Sequence, residues 1–169
     1  ADEEELKIRE LKPINAQFQP KVLWQDDMDE GVAHFFSRLK PAVGYNKVFA
    51  ANRDGLVKAY DPQNGKTLWQ THLDKDHDSG FFSTRKTDTV KIAGGLALAY
   101  DKVYLGTENG EVFAINQSTG DVVWNVEVKG EVIAMPAVDA GLVVVNTSSG
   151  VLFALDAENG EEKWRYESD

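Results

Sequence analysis

One eleven-residue phrase recurs three times in register: Ala59-Tyr-Asp-Pro-Gln-Asn-Gly-Lys-Thr-Leu-Trp69, Ala114-Ile-Asn-Gln-Ser-Thr-Gly-Asp-Val-Val-Trp124 and Ala154-Leu-Asp-Ala-Glu-Asn-Gly-Glu-Glu-Lys-Trp164. Alanine opens each copy, Asp or Asn stands two residues on, Gly six on and Trp ten on. Self-similarity of this kind marks an array of supersecondary units, each too small to bury its apolar face without a neighbour. Whatever one unit forms, the others form too, and the core must lie between them.

Extended backward, the register continues through Val48-Phe-Ala-Ala-Asn-Arg-Asp-Gly55, Val103-Tyr-Leu-Gly-Thr-Glu-Asn-Gly110 and Val143-Val-Val-Asn-Thr-Ser-Ser-Gly150. Each reads as a short strand running into a tight turn. Asp54-Gly55, Asn109-Gly110 and Ser149-Gly150 predict two-residue hairpins, because primed turns need positive φ and glycine has no Cβ to clash there. A return strand follows, such as Leu56-Val-Lys-Ala-Tyr60, then a turn centred on Gly65, Gly120 or Gly160, then a strand ending in Trp. Upstream, Pro41-Ala-Val43, Leu96-Ala-Leu98 and Pro136-Ala-Val138 supply a fourth strand. Four short strands per unit, at Trp-to-Trp spacings of 45, 55 and 40 residues from Trp24 onward, are the signature of β-propeller blades. No 3.6-residue apolar period competes with that reading.

The expected fold is all-β, a partial β-propeller of four-stranded antiparallel blades. Its parts are an N-terminal extension (1–19), a lone outer strand of a closing blade (20–25), blades at 37–70, 93–126 and 131–166, and a long inter-blade loop at 71–92. Trp24, Trp69, Trp124 and Trp164 are read as structural docking residues, together with Ala59, Ala114, Ala154, Gly65, Gly120 and Gly160. A large ring covers the seam between blades, the small Ala permits close approach and the Gly sets the turn. Lys21-Val-Leu-Trp24 has the last strand of a blade without the others, and propellers close with at least four blades. The chain is therefore expected to be part of a larger ring. Its open ends would expose apolar faces and unpaired edges, so self-association or a companion fragment is expected.

Composition narrows the function classes. The formal charge is −10 in 169 residues and no basic stripe is present, so a phosphate backbone would be repelled and no nucleic-acid partner is expected. The chain has no cysteine, which removes disulfides, thiolate metal sites and cysteine nucleophiles. No apolar run reaches the ~18 residues of a membrane-spanning helix. The acidic start, Asp2-Glu3-Glu4-Glu5, reads as a solvated terminus.

Candidate chemistry is sparse. His34, His72 and His77 stand in no metal-ligand or catalytic spacing. Asp74, Asp76, Asp78 and Gly80 have an oxygen-rich spacing, but Ser79 and Arg85 stand where a calcium loop of the EF-hand kind has Gly and Glu, so a solvated loop is expected. Nucleophile-elbow, P-loop and dinucleotide glycine motifs are missing, and turns account for the glycines. No catalytic residue, metal or cofactor is assigned. Phe35-Phe36 and Phe81-Phe82 each precede a serine on an inter-blade connection, where they either plug the gap between blades or anchor a partner. An exposed strand edge offers a second binding mode, addition of an extended peptide.

The phrase A-x-D-x-x-x-G-x-x-x-W resembles the tryptophan-docking repeat of quinoprotein-type propellers. Within that superfamily, Gln17-Phe-Gln-Pro-Lys-Val-Leu-Trp24, Phe35-Phe-Ser-Arg-Leu-Lys-Pro-Ala-Val43 and Arg53-Asp-Gly-Leu-Val-Lys-Ala59 look like the N-terminal part of the BamB family, lipoproteins of the outer-membrane β-barrel assembly machinery. The resemblance implies a non-enzymatic scaffold at the periplasmic face of the outer membrane. It also implies binding to the POTRA repeats of BamA, possible engagement of unfolded barrel precursors, and a lipidated N-terminal cysteine that this chain lacks. The same repeat occurs in quinone-cofactor-dependent dehydrogenases, which is the alternative reading. Those enzymes use a central cavity with calcium and often a vicinal disulfide, which a cysteine-free chain cannot supply.

Overall fold

The computed structural model describes residues 39–73 and 90–168. The described residues form strands and turns and no helix. The strands make three four-stranded antiparallel sheets, each from strands consecutive in the chain. Blade 1 holds β1 (Ala42–Gly44), β2 (Lys47–Ala51), β3 (Leu56–Tyr60) and β4 (Thr67–His72). Blade 2 holds β5 (Ile92–Ala99), β6 (Lys102–Thr107), β7 (Glu111–Asn116) and β8 (Val122–Glu127). Blade 3 holds β9 (Ala137–Asp139), β10 (Leu142–Asn146), β11 (Val151–Asp156) and β12 (Glu162–Glu167). The chain is a partial β-propeller. The expected strand around Trp24, the extension before it and residues 74–89 of the expected inter-blade loop lie outside the described residues.

The core sits between blades, as the repeat demands. Phe49, Val57, Ala59 and Trp69 of blade 1 share one cluster with Val103, Leu105, Phe113 and Ile115 of blade 2. Tyr104, Val112, Ala114 and Trp124 of blade 2 share a second with Val143, Val145, Phe153 and Leu155 of blade 3. Blade 2 is covered on both faces, so β6 is buried along its whole length and its sequence, Val103-Tyr-Leu-Gly106, shows no polar alternation. β12 is exposed at every position. Blade 1 also buries Val48, Ala50 and Tyr60 on its other face.

The turns depart from the sequence expectation. Gly55, Gly110 and Gly150 do not close two-residue hairpins. Their N–H groups donate to Asn52 O, Thr107 O and Thr147 O, and in each loop only the glycine has positive φ (93°, 81° and 81°). That is the three-residue loop, a type I turn followed by one left-handed residue. A two-residue primed turn needs positive φ at both central positions. Such turns exist, but between the first and second strands of each blade: Tyr45-Asn46 (52° and 55°), Tyr100-Asp101 (50° and 63°) and Ala140-Gly141 (51° and 75°). The pairs that flank them are Gly44 with Lys47, Ala99 with Lys102 and Asp139 with Leu142.

The remaining turn explains why the repeat holds Asp or Asn two residues after its Ala. Asp61 Oδ1 accepts from Gln63 N–H, Asn116 Oδ1 from Ser118 and Thr119, and Asp156 Oδ1 from Glu158 and Asn159. A short polar side chain thereby satisfies backbone donors that the turn leaves unpaired. A β-bulge follows Ala59, Ala114 and Ala154 in each blade, so Leu68, Val123 and Lys163 are skipped in the ladder and Trp69, Trp124 and Trp164 pair with those alanines. The extra residue reorients the end of the strand.

Candidate interaction surfaces

The docking tryptophans build the seams. Trp69 Nε1 donates to Gln117 O across the first seam at 2.8 Å, and Trp124 Nε1 donates to Ala157 O across the second at 3.0 Å. Each ring lies against the glycine of the next blade's turn, where a Cβ on Gly120 or Gly160 would stand 2.6 Å from Cε3 of Trp69 or Trp124. Phe49 and Tyr104 back the two rings at centroid separations of 6.0 Å, in tilted geometry that suits aromatic quadrupoles. Ala59 and Ala114 are fully buried beside their own tryptophans. Trp164 occupies the same place on blade 3 but is 45% exposed.

At the end of the blades that carries the primed turns, polar side chains reach over both seams. Tyr45 Oη accepts from Asp101 N–H (3.0 Å) and Tyr100 Oη accepts from Gly141 N–H (2.8 Å). Lys47 Nζ donates to Gln117 Oε1 (2.9 Å) and Lys102 Nζ to Glu158 Oε2 (3.2 Å). Tyr104 Oη donates to Ala157 O, and burial, reinforced by the negative charge of Glu158, raises its pKa far above the usual phenol value. It therefore stays a neutral donor at any physiological pH.

The opposite end carries the connection between blades 2 and 3. Residues 128–136, joining blade 2 to blade 3, are pinned: Val128 N–H donates to Gly110 O, Val132 N–H to Thr107 O, and Glu131 exchanges bonds with Ser148 in both directions. Val132 is fully buried. From this fixed backbone Ile133 and Met135 project outward, 57% and 58% exposed. Beside them lies an open slot of about 420 Å³, lined by Leu39, Ile92, Ala93, Gly94 and Ile133 and rimmed by Arg53 and Glu108. Arg53 Nη2 contacts both carboxylate oxygens of Glu108, at 2.9 and 3.1 Å, tying the β2–β3 turn to its counterpart in blade 2.

The residues proposed from sequence divide accordingly. Trp69, Trp124, Gly120 and Gly160 meet at the seams, and Trp164 stands on the open face of blade 3. Trp24, Phe35, Phe36, Phe81 and Phe82, with His34, His77 and the Asp74–Gly80 stretch, lie outside the described residues. Among the described residues no three His, Cys, Asp or Glu side chains are grouped to hold a metal ion. Sequence reasoning missed Tyr45, Tyr100, Lys47 and Lys102. A tyrosine before Asn or Asp between two short strands was their only signal.

Repeated four-stranded blades, sealed by a tryptophan from each onto the glycine turn of the next, define the chain as a quinoprotein-type β-propeller. The solved structures it resembles include BamB from Moraxella catarrhalis (26% identity, TM-score 0.64, covering 78% of this chain and 35% of that one). They also include the quinohemoprotein alcohol dehydrogenase from Comamonas testosteroni (27%, 0.59, 76% and 20%). The family model described as outer membrane protein assembly factor BamB matches residues 19–91 and 53–169. Relatives bearing that name are 44% identical in Alteromonas naphthalenivorans (100% of this chain, 41% of the relative) and 40% identical in Vibrio cholerae (97% and 40%). The chain belongs to the BamB family. It spans about two-fifths of the length of these relatives.

Proposed function

We propose that the chain is part of a non-enzymatic scaffold that assists assembly of β-barrel proteins into the outer membrane. The observation that carries this reading is the family match, which extends over nearly the whole chain and joins it to relatives named as outer membrane assembly factors. In this reading the scaffold needs no cofactor or metal, sits at the periplasmic face of the outer membrane through a lipid anchor, and binds the POTRA repeats of BamA and unfolded barrel precursors. Rigid presentation of Ile133 and Met135 beside an apolar slot supports a binding role for the connection end, since fixed apolar groups bind without an ordering cost. Phe35, Phe36, Phe81 and Phe82 are further candidates for partner anchoring or for plugging the seams. In isolation, the apolar face of blade 3 favours self-association or a companion fragment, which light scattering measures. The dehydrogenase alternative rests on fold likeness over 20% of the Comamonas chain and is disfavoured.

The test is photo-crosslinking in cells, with the reactive group placed in the full-length lipoprotein at Ile133 or Met135, and at the exposed Leu68 as control. Adducts with BamA or with barrel precursors from the first two sites, and none from Leu68, are expected. Adducts from none of the three, in cells whose outer-membrane protein levels are indifferent to loss of the protein, would defeat the proposal.

A further inference from the structure

The innermost strands of blades 2 and 3 bulge at the same place, and the two bulges are built differently. Ile92 pairs with Thr107 and Ala97 with Tyr104, in the spacing at which Val132 pairs with Thr147 and Ala137 with Val144. Ala93-Gly94-Gly95 of blade 2 therefore match Ile133-Ala134-Met135 of blade 3. Buried residues flank each bulge, Ile92 and Leu96 in one and Val132 and Pro136 in the other. The blade 3 bulge lies on the blade 2 bulge. A Cβ on Gly94 would stand 2.5 Å from Ala134 C and 2.6 Å from Met135 N, and one on Gly95 would meet the Met135 side chain at 3.6 Å. From the other side, Glu131 N–H donates to Ser148 Oγ and Ser148 N–H to Glu131 O, both at 2.9 Å, while Ser149 Oγ donates to Lys129 O at 2.7 Å. The blade 3 turn closes without the Ser148 hydroxyl, since Gly150 N–H donates to Thr147 O and Thr147 Oγ1 to Val151 O.

We infer that Gly94, Gly95 and Ser148 are positioning residues that hold Ile133-Ala134-Met135 as the recognition segment of the propeller, set to meet an apolar surface of a protein partner. This rests on the scaffold reading and deepens it. Blade 2 lacks large side chains at the bulge positions where blade 3 exposes Ile133 and Met135, so one repeat supplies the seat and the next supplies the contact. Only bare backbone admits the segment this closely, because a β-carbon at Gly94 would strike main-chain atoms, which are unable to turn aside as a side-chain tip does. The φ of 83° at Gly94 adds to the demand for glycine. Ser148 is exposed and stands outside the apolar cluster that joins blades 2 and 3, so losing its hydroxyl frees the segment and leaves the blades docked. An apolar segment fixed in advance binds without the ordering cost that a free loop incurs.

Ser148→Ala and Gly94→Ala in the full-length lipoprotein test the inference through two readouts: amide hydrogen exchange over residues 128–136 in the purified protein, and photo-adducts from Ile133 in cells. Ser148→Ala is expected to speed exchange of the Glu131 amide about fivefold and to lower the Ile133 adduct yield, while β7 and β11 stay protected. Ser148→Thr, which keeps the hydroxyl, should restore both. Gly94→Ala should displace the segment further and abolish the adducts. A merely structural role for Ser148 would leave the adduct yield untouched. A Glu131 amide unmoved by Ser148→Ala overturns the inference whatever the adducts show, and that arm stands even where Gly94→Ala fails to fold. Parental adduct yields from both variants overturn it while sparing the scaffold reading. No adducts from the parent protein defeat that reading and take the inference with it.

Discussion

Trp124 and Trp164 occupy the same position in successive repeats, pair with equivalent alanines and follow the same bulge, yet one is 8% exposed and the other 45%. The difference lies wholly in what stands opposite. Trp124 meets the Ala157–Gly160 turn, which supplies a carbonyl for its indole N–H and a glycine where a side chain would collide. Trp164 meets no such turn among the described residues. The repeat thus encodes half of an interface in every copy, and stability belongs to the pair of blades rather than to either one, as in other arrays of stacked units.

Truncation gives the largest separation. Trp124→Ala removes a buried ring together with its hydrogen bond and should cost about 3–5 kcal/mol, whereas Trp164→Ala should cost less than about 1 kcal/mol, as surface changes do. Chemical denaturation of the two variants of this chain, at concentrations low enough to keep it monomeric, measures the gap. Equal losses would mean that Trp164 is covered in solution and would break the comparison.

Glycine substitution sharpens the same contrast from the receiving side. Gly160 and Gly150 have similar φ, 76° and 81°. A Cβ on Gly160 would stand 2.6 Å from the Trp124 ring, while on Gly150 its nearest neighbour is Ser168 Oγ at 3.5 Å. Both substitutions to alanine carry the left-handed penalty of about 1–2 kcal/mol. Only Gly160→Ala adds an overpacking cost of about 1–3 kcal/mol, and Trp124 fluorescence should report the displaced ring. A Gly150→Ala variant as damaged as Gly160→Ala would show that backbone strain, and not docking, fixes the glycine.

What the sequence disclosed, and what it hid, follows the range of the interactions. The strand–turn–strand–Trp unit was legible because its determinants are local: Asp156 bonds residues two and three ahead, and Ala154 faces Trp164 across one turn. The side chains that reach over the seams were not, because Tyr45 and Lys47 find partners 56 and 70 residues away, across a seam whose register no local pattern states. Positive φ at Tyr45 and Tyr100 was hidden for a related reason. Only glycine advertises it, so sequence points to primed turns at Gly55, Gly110 and Gly150, where a single left-handed residue suffices for a longer loop. The exposed Ile133 and Met135 were equally invisible, since an apolar residue in sequence carries no mark of which side of a pinned backbone it will take.

A smaller effect separates the two ends of the first seam. Arg53–Glu108 is a well-formed pair, but its side chains are 55% and 30% exposed, so Arg53→Met should cost no more than about 0.5–1 kcal/mol and the loss should shrink as salt rises. A salt-independent cost of the size seen for Trp124→Ala would show that the connection end, and not the docked ring, holds blades 1 and 2 together.

The smallest expected effect concerns protons, and it distinguishes blade 3 from blade 2 at one atom. The turn carbonyl-side acceptor is the neutral amide of Asn116 in blade 2 and the carboxylate of Asp156 in blade 3, each taking two backbone N–H groups. The N–H of Glu158 is the main cause holding the Asp156 pKa below the usual 3.8, helped by that of Asn159 and by nearby Lys163. A depressed folded-state pKa stabilises the fold above the unfolded value, and that contribution fades as pH falls from about 3.8 through the lower folded value. Acid should therefore loosen the blade 3 turn while leaving the Asn116 turn intact. Asp156→Asn, which makes the two turns alike, should flatten the acid limb of the stability curve in that window. If the variant keeps the slope of the parent, the acid sensitivity resides in other carboxylates and the two turns are equivalent after all.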